Sequence, residues 1–179
     1  MENITYNIAI EIDESDNEKY RYFYKKSWRE GKNIIVAILL NPSKATLTRN
    51  DKTLDILTEF FLNKYDGMVI LNLFSLMCSN PSGLINKDEE YEKKNRKLVI
   101  KVLNENLDKD FFIGWGKSFA RIEDRSIINE AKNKKQKVEK FFRDKKLKEK
   151  VFCFRSPNGR GLHPSKYSDT WTYDKYFKR

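Results

Sequence analysis

The chain has one histidine, His163, and two cysteines, Cys78 and Cys153. That is too few ligands for a four-coordinate zinc site, so neither a metal nor a cofactor is expected. Both cysteines fall on or beside apolar segments and read as reduced packing residues. Glycine and proline are sparse, at seven and four, so the places where they gather mark turns. No apolar run approaches the roughly 20 residues that a membrane helix needs. The first residues are acidic and carry no apolar segment of the signal-peptide kind. The expectation is a cytoplasmic protein with no membrane partner.

What the sequence does have is charge. Lys and Arg number 36 against 26 Asp and Glu, a net +10. That balance favours polyanionic partners, nucleic acid or nucleotide. A solubility role accounts for it equally well. Residues 132–150 alone hold ten basic residues against three acidic ones. Such a run reads as a solvated helix face or a phosphate-contacting one, and its spacing does not distinguish the two. A length of 179 residues with 39% hydrophobic content suits one packed domain, residues 1–179.

The stretch 33–43, NIIVAILLNPS, organises the rest. Seven apolar residues closed by Asn41-Pro42-Ser43 read as a strand buried on both faces. Three later segments share this form: VILNLF, FFIGWG and VFCFRSPNGRGLHPS. Ahead of them, residues 4–12 alternate as a half-buried strand, and 20–28 return as a second strand of a hairpin. Residues 44–50 read as a loop. Asn50 or Asp51 then caps a helix with Leu54, Leu57, Phe60 and Phe61 on its inner face. Further helices are expected over about 88–107 and 119–147. The aromatic, basic tail should pack back on the body. This alternation predicts an α/β fold, a three-layer sandwich with a four-stranded parallel central sheet and an N-terminal β-hairpin.

Ligands of open α/β sheets bind beyond the carboxyl ends of the strands. Asn41, Pro42 and Ser43 lie there, with Asn72 inside the second strand and Gly114-Trp115-Gly116 ending the third. A buried Asn either satisfies a neighbouring loop or meets a ligand. Trp115 is a ligand contact or a core plug. The basic loop after the fourth strand carries Arg155, Arg160, His163 and Lys166, placed to meet a phosphate backbone.

The motifs LLNPS, Asp51-Lys52-Thr53, NLF, WG and HPS, spread over about residues 20–168, resemble the bacterial and phage family called domain of unknown function 1643. More distantly, Asn41-Pro42-Ser43 and His163-Pro164-Ser165 are similar to the first and last motifs of the uracil-DNA glycosylase superfamily. That likeness implies a uracil-DNA-glycosylase-like fold and a protein that flips a base and cleaves its N-glycosidic bond. It implies Asn41 and His163 as catalytic, and Asn72 as the reader of the base edge. Pro42, Ser43, Phe74, Trp115, Gly116, Pro164 and Ser165 would line the substrate, and Arg155, Arg160 and Lys166 would hold the nucleic-acid backbone. Two positions depart from the pattern: Ser43 stands where a glycine is usual, and Lys166 where Pro or Gly is common. The alternative is a non-catalytic nucleotide or nucleic-acid binder that uses the same strand ends, such as a phage or defence-related sequestering protein.

Overall fold

The computed structural model describes residues 8–15, 17–43, 51–116, 122–158 and 163–177. Of the expected elements, residues 4–7 of the first strand and the loop 44–50 lie outside the described residues.

Seven strands form one mixed sheet: β1 (Ala9–Glu14), β2 (Arg21–Ser27), β3 (Ile34–Leu39), β4 (Gly67–Asn72), β5 (Asp110–Ile113), β6 (Val151–Arg155) and β7 (Thr172–Lys175). Their order is β1-β2-β4-β3-β5-β6-β7. The expected four-stranded parallel sheet is therefore corrected to a seven-stranded mixed one. The strands β4, β3, β5 and β6 do pair parallel, but they form only its middle. The N-terminal hairpin is present, and β2 pairs antiparallel with β4, which extends the sheet. At the other edge the tail does more than pack back. It pairs antiparallel with β6 as β7, and Tyr173 stacks on Phe152 at 4.9 Å. Alternation within the tail is hidden because nearly every residue in it is aromatic or charged.

Each parallel strand is followed by a helix: α1 (Lys52–Phe61), α2 (Glu89–Glu105) and α3 (Arg125–Asp144). Asp51, Asp88 and Asp124 cap them, each accepting a backbone N–H of the first turn. The third helix starts at Arg125, later than its apolar spacing suggested, because Asp124 offers the cap.

The period-2 alternation of β3 separates two cores. Ile35, Ala37 and Leu39 face α1, with Met68, Ile70, Phe112 and Phe154. Val36, Ile38 and Leu40 face α2 and α3, with Val69, Leu71, Phe111 and Ile113. Three layers result, with β3 buried on both faces as its unbroken apolar run requires.

The connections place the site. From β3 the chain crosses by α1 to β4 on one side. From β4 it crosses by α2 over to β5, on the other side of β3. The order thus reverses between β3 and β5. In open α/β sheets the crevice at such a reversal, outside the carboxyl ends, is where ligands bind.

Candidate functional site

At the β3 exit, Asn41 is half-buried and its Nδ2 donates to Cys78 O at 2.7 Å and Pro42 O at 3.0 Å. Cys78 N–H returns to Pro42 O at 3.2 Å. The β3–β4 ladder also runs past the strands, with Leu73 N–H to Leu39 O and Phe74 N–H to Leu40 O. Arg21, 4% exposed, donates to Ser43 O and to Glu14 Oε1. The two loops are therefore stitched into one wall.

Beneath this wall is a buried ion network. Glu92 is fully buried, and its Oε1 accepts from Ser75 N–H at 2.7 Å and from Ser75 Oγ at 2.8 Å. Lys134 Nζ donates to Glu92 Oε2 at 2.7 Å and to Leu73 O at 3.0 Å. The same amine lies 3.1 Å from Glu130 and 3.8 Å from the centre of the Phe74 ring. Glu130 also meets Lys87 at 3.0 Å. Burial pushes the Glu130 carboxyl up, but Lys87 and Lys134 together bring it below its ordinary value. No spacing signal marks this network, because Glu92 and Lys134 stand among many surface charges of α2 and α3.

At the β5 exit the geometry is open in a different way. A Cβ on Gly114 would lie 2.6 Å from Leu39 Cδ2 and 3.0 Å from Pro164 Cγ. Gly116 adopts φ +72°, and a Cβ there would lie 3.7 Å from His163 Cβ. The two glycines thus let the His163-Pro164-Ser165 turn settle onto the strand end. His163 Nδ1 accepts Ser165 N–H at 3.3 Å and lies 3.0 Å from Ser165 Oγ. On the opposite side of Gly116, Lys135 Nζ donates to Gly116 O at 2.8 Å. Burial pushes the Lys135 amine down to about 8, against a smaller upward pull from Glu139. Lys135 was legible only as part of a basic run.

The structure brings Asn41, Pro42, Ser43, Gly116, His163, Pro164 and Ser165 to one end of the sheet. Asn72 is there too, 2% exposed, in register with Leu39. Its backbone O accepts from Asn95 Nδ2 at 3.0 Å. Phe74, expected to stack on a base, is fully buried and carries Lys134 on its ring. Trp115, 4% exposed, plugs the core on the α3 side and packs edge-on against Tyr176. Arg155 donates to Lys175 O and Tyr176 O and lies 3.4 Å from Asp174, which pins β7. Lys166 is exposed at the turn, and Arg160 lies outside the described residues. Cys78 is no ready nucleophile, since burial raises its thiol to about 11.

A separate open cleft of about 440 Å³ lies between the 3-10 turn Pro81–Asn86 and the start of α3. Ser82, Ile85, Glu123 and Asp124 line it. Its acidic rim does not suit a phosphate.

The family described as a protein of unknown function, DUF1643, matches residues 21–165. The chain belongs to that family. The match begins at β2 and ends at Ser165, so the hairpin's return strand and the His-Pro-Ser turn are both family features, whereas β7 lies beyond it. No curated protein and no solved structure matches the chain. The likeness to the uracil-DNA glycosylases therefore rests on the short motifs alone. No described helix is long and apolar enough to cross a membrane.

Proposed function

We propose that this DUF1643 protein binds a nucleic-acid base in the crevice between the β3 and β5 exits and cleaves its N-glycosidic bond. The observation that carries this reading is the state of His163. A backbone N–H can only donate, so Nδ1 is an acceptor and the neutral ring bears its proton on Nε2. A neutral imidazole N–H at a strand-end crevice suits a base oxygen that gains negative charge as the bond breaks. In that step the C1′–N bond breaks and its electron pair leaves with the base. Water then bonds to C1′ and gives up a proton. Asn41 cannot take that proton. Its Nδ2 holds the loop, so Oδ1 is the atom that would accept from the water. The reaction would thus be largely dissociative.

One observation favours the non-catalytic alternative. Among the described residues at the β3 exit, the carboxylates are already engaged: Glu14 by Arg21 and Asp51 by Leu54 N–H. A binder of a nucleotide or nucleic acid needs no base there. The test incubates the protein with labelled oligonucleotides carrying uracil, modified pyrimidines or deaminated purines, and reads abasic sites by alkaline cleavage. Cleavage by the wild type that falls at least about 100-fold in His163→Ala supports excision. Salt-sensitive binding without cleavage establishes the alternative.

A further inference from the structure

Two buried polar atoms face the same end of the α1 side of the sheet. Tyr24 Oη and Asn72 Oδ1 have no hydrogen-bond partner among the described residues. The two residues are 1% and 2% exposed. Leaving such a group unsatisfied costs about 1–3 kcal/mol, so two at one place call for an explanation. They are neighbours by register. Tyr24 pairs with Ile70 on adjoining antiparallel strands, and Asn72 stands two residues further along β4 on the same face. Such diagonal neighbours lie about 7–8 Å apart. Leu39, in register with Asn72, separates them from Gly114 and the Pro164 ring.

The surroundings limit what the spot accepts. Burial raises the Tyr24 hydroxyl, Arg21 opposes the shift, and Asp51 and Asp55 of the α1 start add to it. The hydroxyl stays protonated and lies within the field of two carboxylates. The Arg21 guanidinium, 6.0 Å from the Tyr24 ring centre, is ion-paired with Glu14. An anion would meet acidic neighbours here. Asn72 Oδ1 requires an N–H, and a tyrosine O–H can serve a carbonyl.

We propose that Tyr24 and Asn72 form a two-point recognition site for an uncharged, planar N–H/C=O edge, a lactam or imide, and not for a phosphate. This deepens the base-binding reading and rests on it for the choice of probe. The pairing gives Tyr24 a part that no motif assigned to it. Its ring sits in the core and reads as packing, and only the unsatisfied hydroxyl marks it.

The test is equilibrium binding, followed by thermal shift and by chemical-shift changes in NMR. The probes are uridine and inosine against 3-methyluridine and 1-methylinosine, which lack the lactam N–H. Wild type should bind the first two, and N-methylation should abolish binding. Tyr24→Phe should bind uridine roughly fivefold more weakly, the factor one hydrogen bond supplies, yet melt higher than wild type without ligand, because a buried unsatisfied hydroxyl is gone. Equal binding of methylated and unmethylated nucleosides would overturn the proposal, as would unchanged uridine affinity in Tyr24→Phe or no binding of either nucleoside by wild type. Tyr24-dependent uridine binding without base release sinks excision alone. Base release that Tyr24→Phe leaves untouched sinks this inference alone.

Discussion

The β4 exit and the β5 exit open on the same crevice, yet they are fixed by different means. At the β4 exit, Ser75 N–H, Ser75 Oγ and Lys134 Nζ all converge on the buried Glu92 carboxylate. At the β5 exit, two glycines admit a proline ring and a histidine, and one lysine ties the backbone from behind. The first arrangement sets a loop's position through charges that have no water to fall back on. The second leaves backbone open to close approach. An ion network suits a wall that must not move, and a glycine exit suits a surface that something else must reach.

The comparison is broken most strongly at Lys134. Lys134→Met strands the Glu92 carboxylate in the core and should lower stability by about 3–5 kcal/mol in chemical denaturation. A double change, Lys134→Met with Glu92→Leu, removes both charges and should recover a large part of that loss. It would still leave Ser75 N–H and Leu73 O unpaired. If the single variant costs under about 1 kcal/mol, the wall is not held by this network.

A smaller effect is expected at the β5 exit, and it is set by pH. Lys135 titrates near 8 in the fold but near its ordinary 10.5 when unfolded. Between those values the unfolded chain holds the extra proton, so stability rises with pH across that window. Below about 8 the cost of the buried charge is present in full, at most about 3 kcal/mol and less for the water that still reaches the amine. Denaturation from pH 7 to 11 should show this rise in wild type and a flatter profile in Lys135→Met. Parallel profiles would mean that the amine is well hydrated.

The least disruptive change is Gly114→Ala. Its Cβ would meet a Leu39 methyl and the Pro164 ring, which can give way by a fraction of an ångström. A loss of about 1–2 kcal/mol is expected, within the range for overpacking. Base release or nucleoside binding should fall further than stability does, because the clash falls on the His163 turn. Equal, small losses in both would mean that the turn's position is not critical.

The middle of this architecture was readable because a strand buried on both faces leaves a continuous apolar run. That signature placed β3 through β6 and the polar residues at their ends. The edges were harder. Residues 172–175 show no clean alternation, since the strand's cover is aromatic and its exposed side is mixed. Register and crossover order are long-range facts, so no local pattern disclosed that the order reverses between β3 and β5. At the site, Asn41, Asn72 and His163 stood out as polar residues at apolar strand ends. Glu92, Lys134 and Lys135 did not, because a charged residue on an amphipathic helix looks the same whether it faces solvent or turns inward. Tyr24 was concealed for the opposite reason, since its ring accounts for its burial and its hydroxyl leaves no trace in the pattern.

The reversal of strand order also bears on how the chain is made. The neighbours of β3 on both sides, β4 and β5, come after it in the sequence, and β5 follows only after the whole of α2. During synthesis the most apolar strand therefore waits with one edge open until Asp110–Ile113 leaves the ribosome. An apolar edge held open in this way invites pairing with another chain. Residues 34–40 are thus the segment that a holding chaperone would grip on the nascent chain, and the crevice is among the last features to take shape.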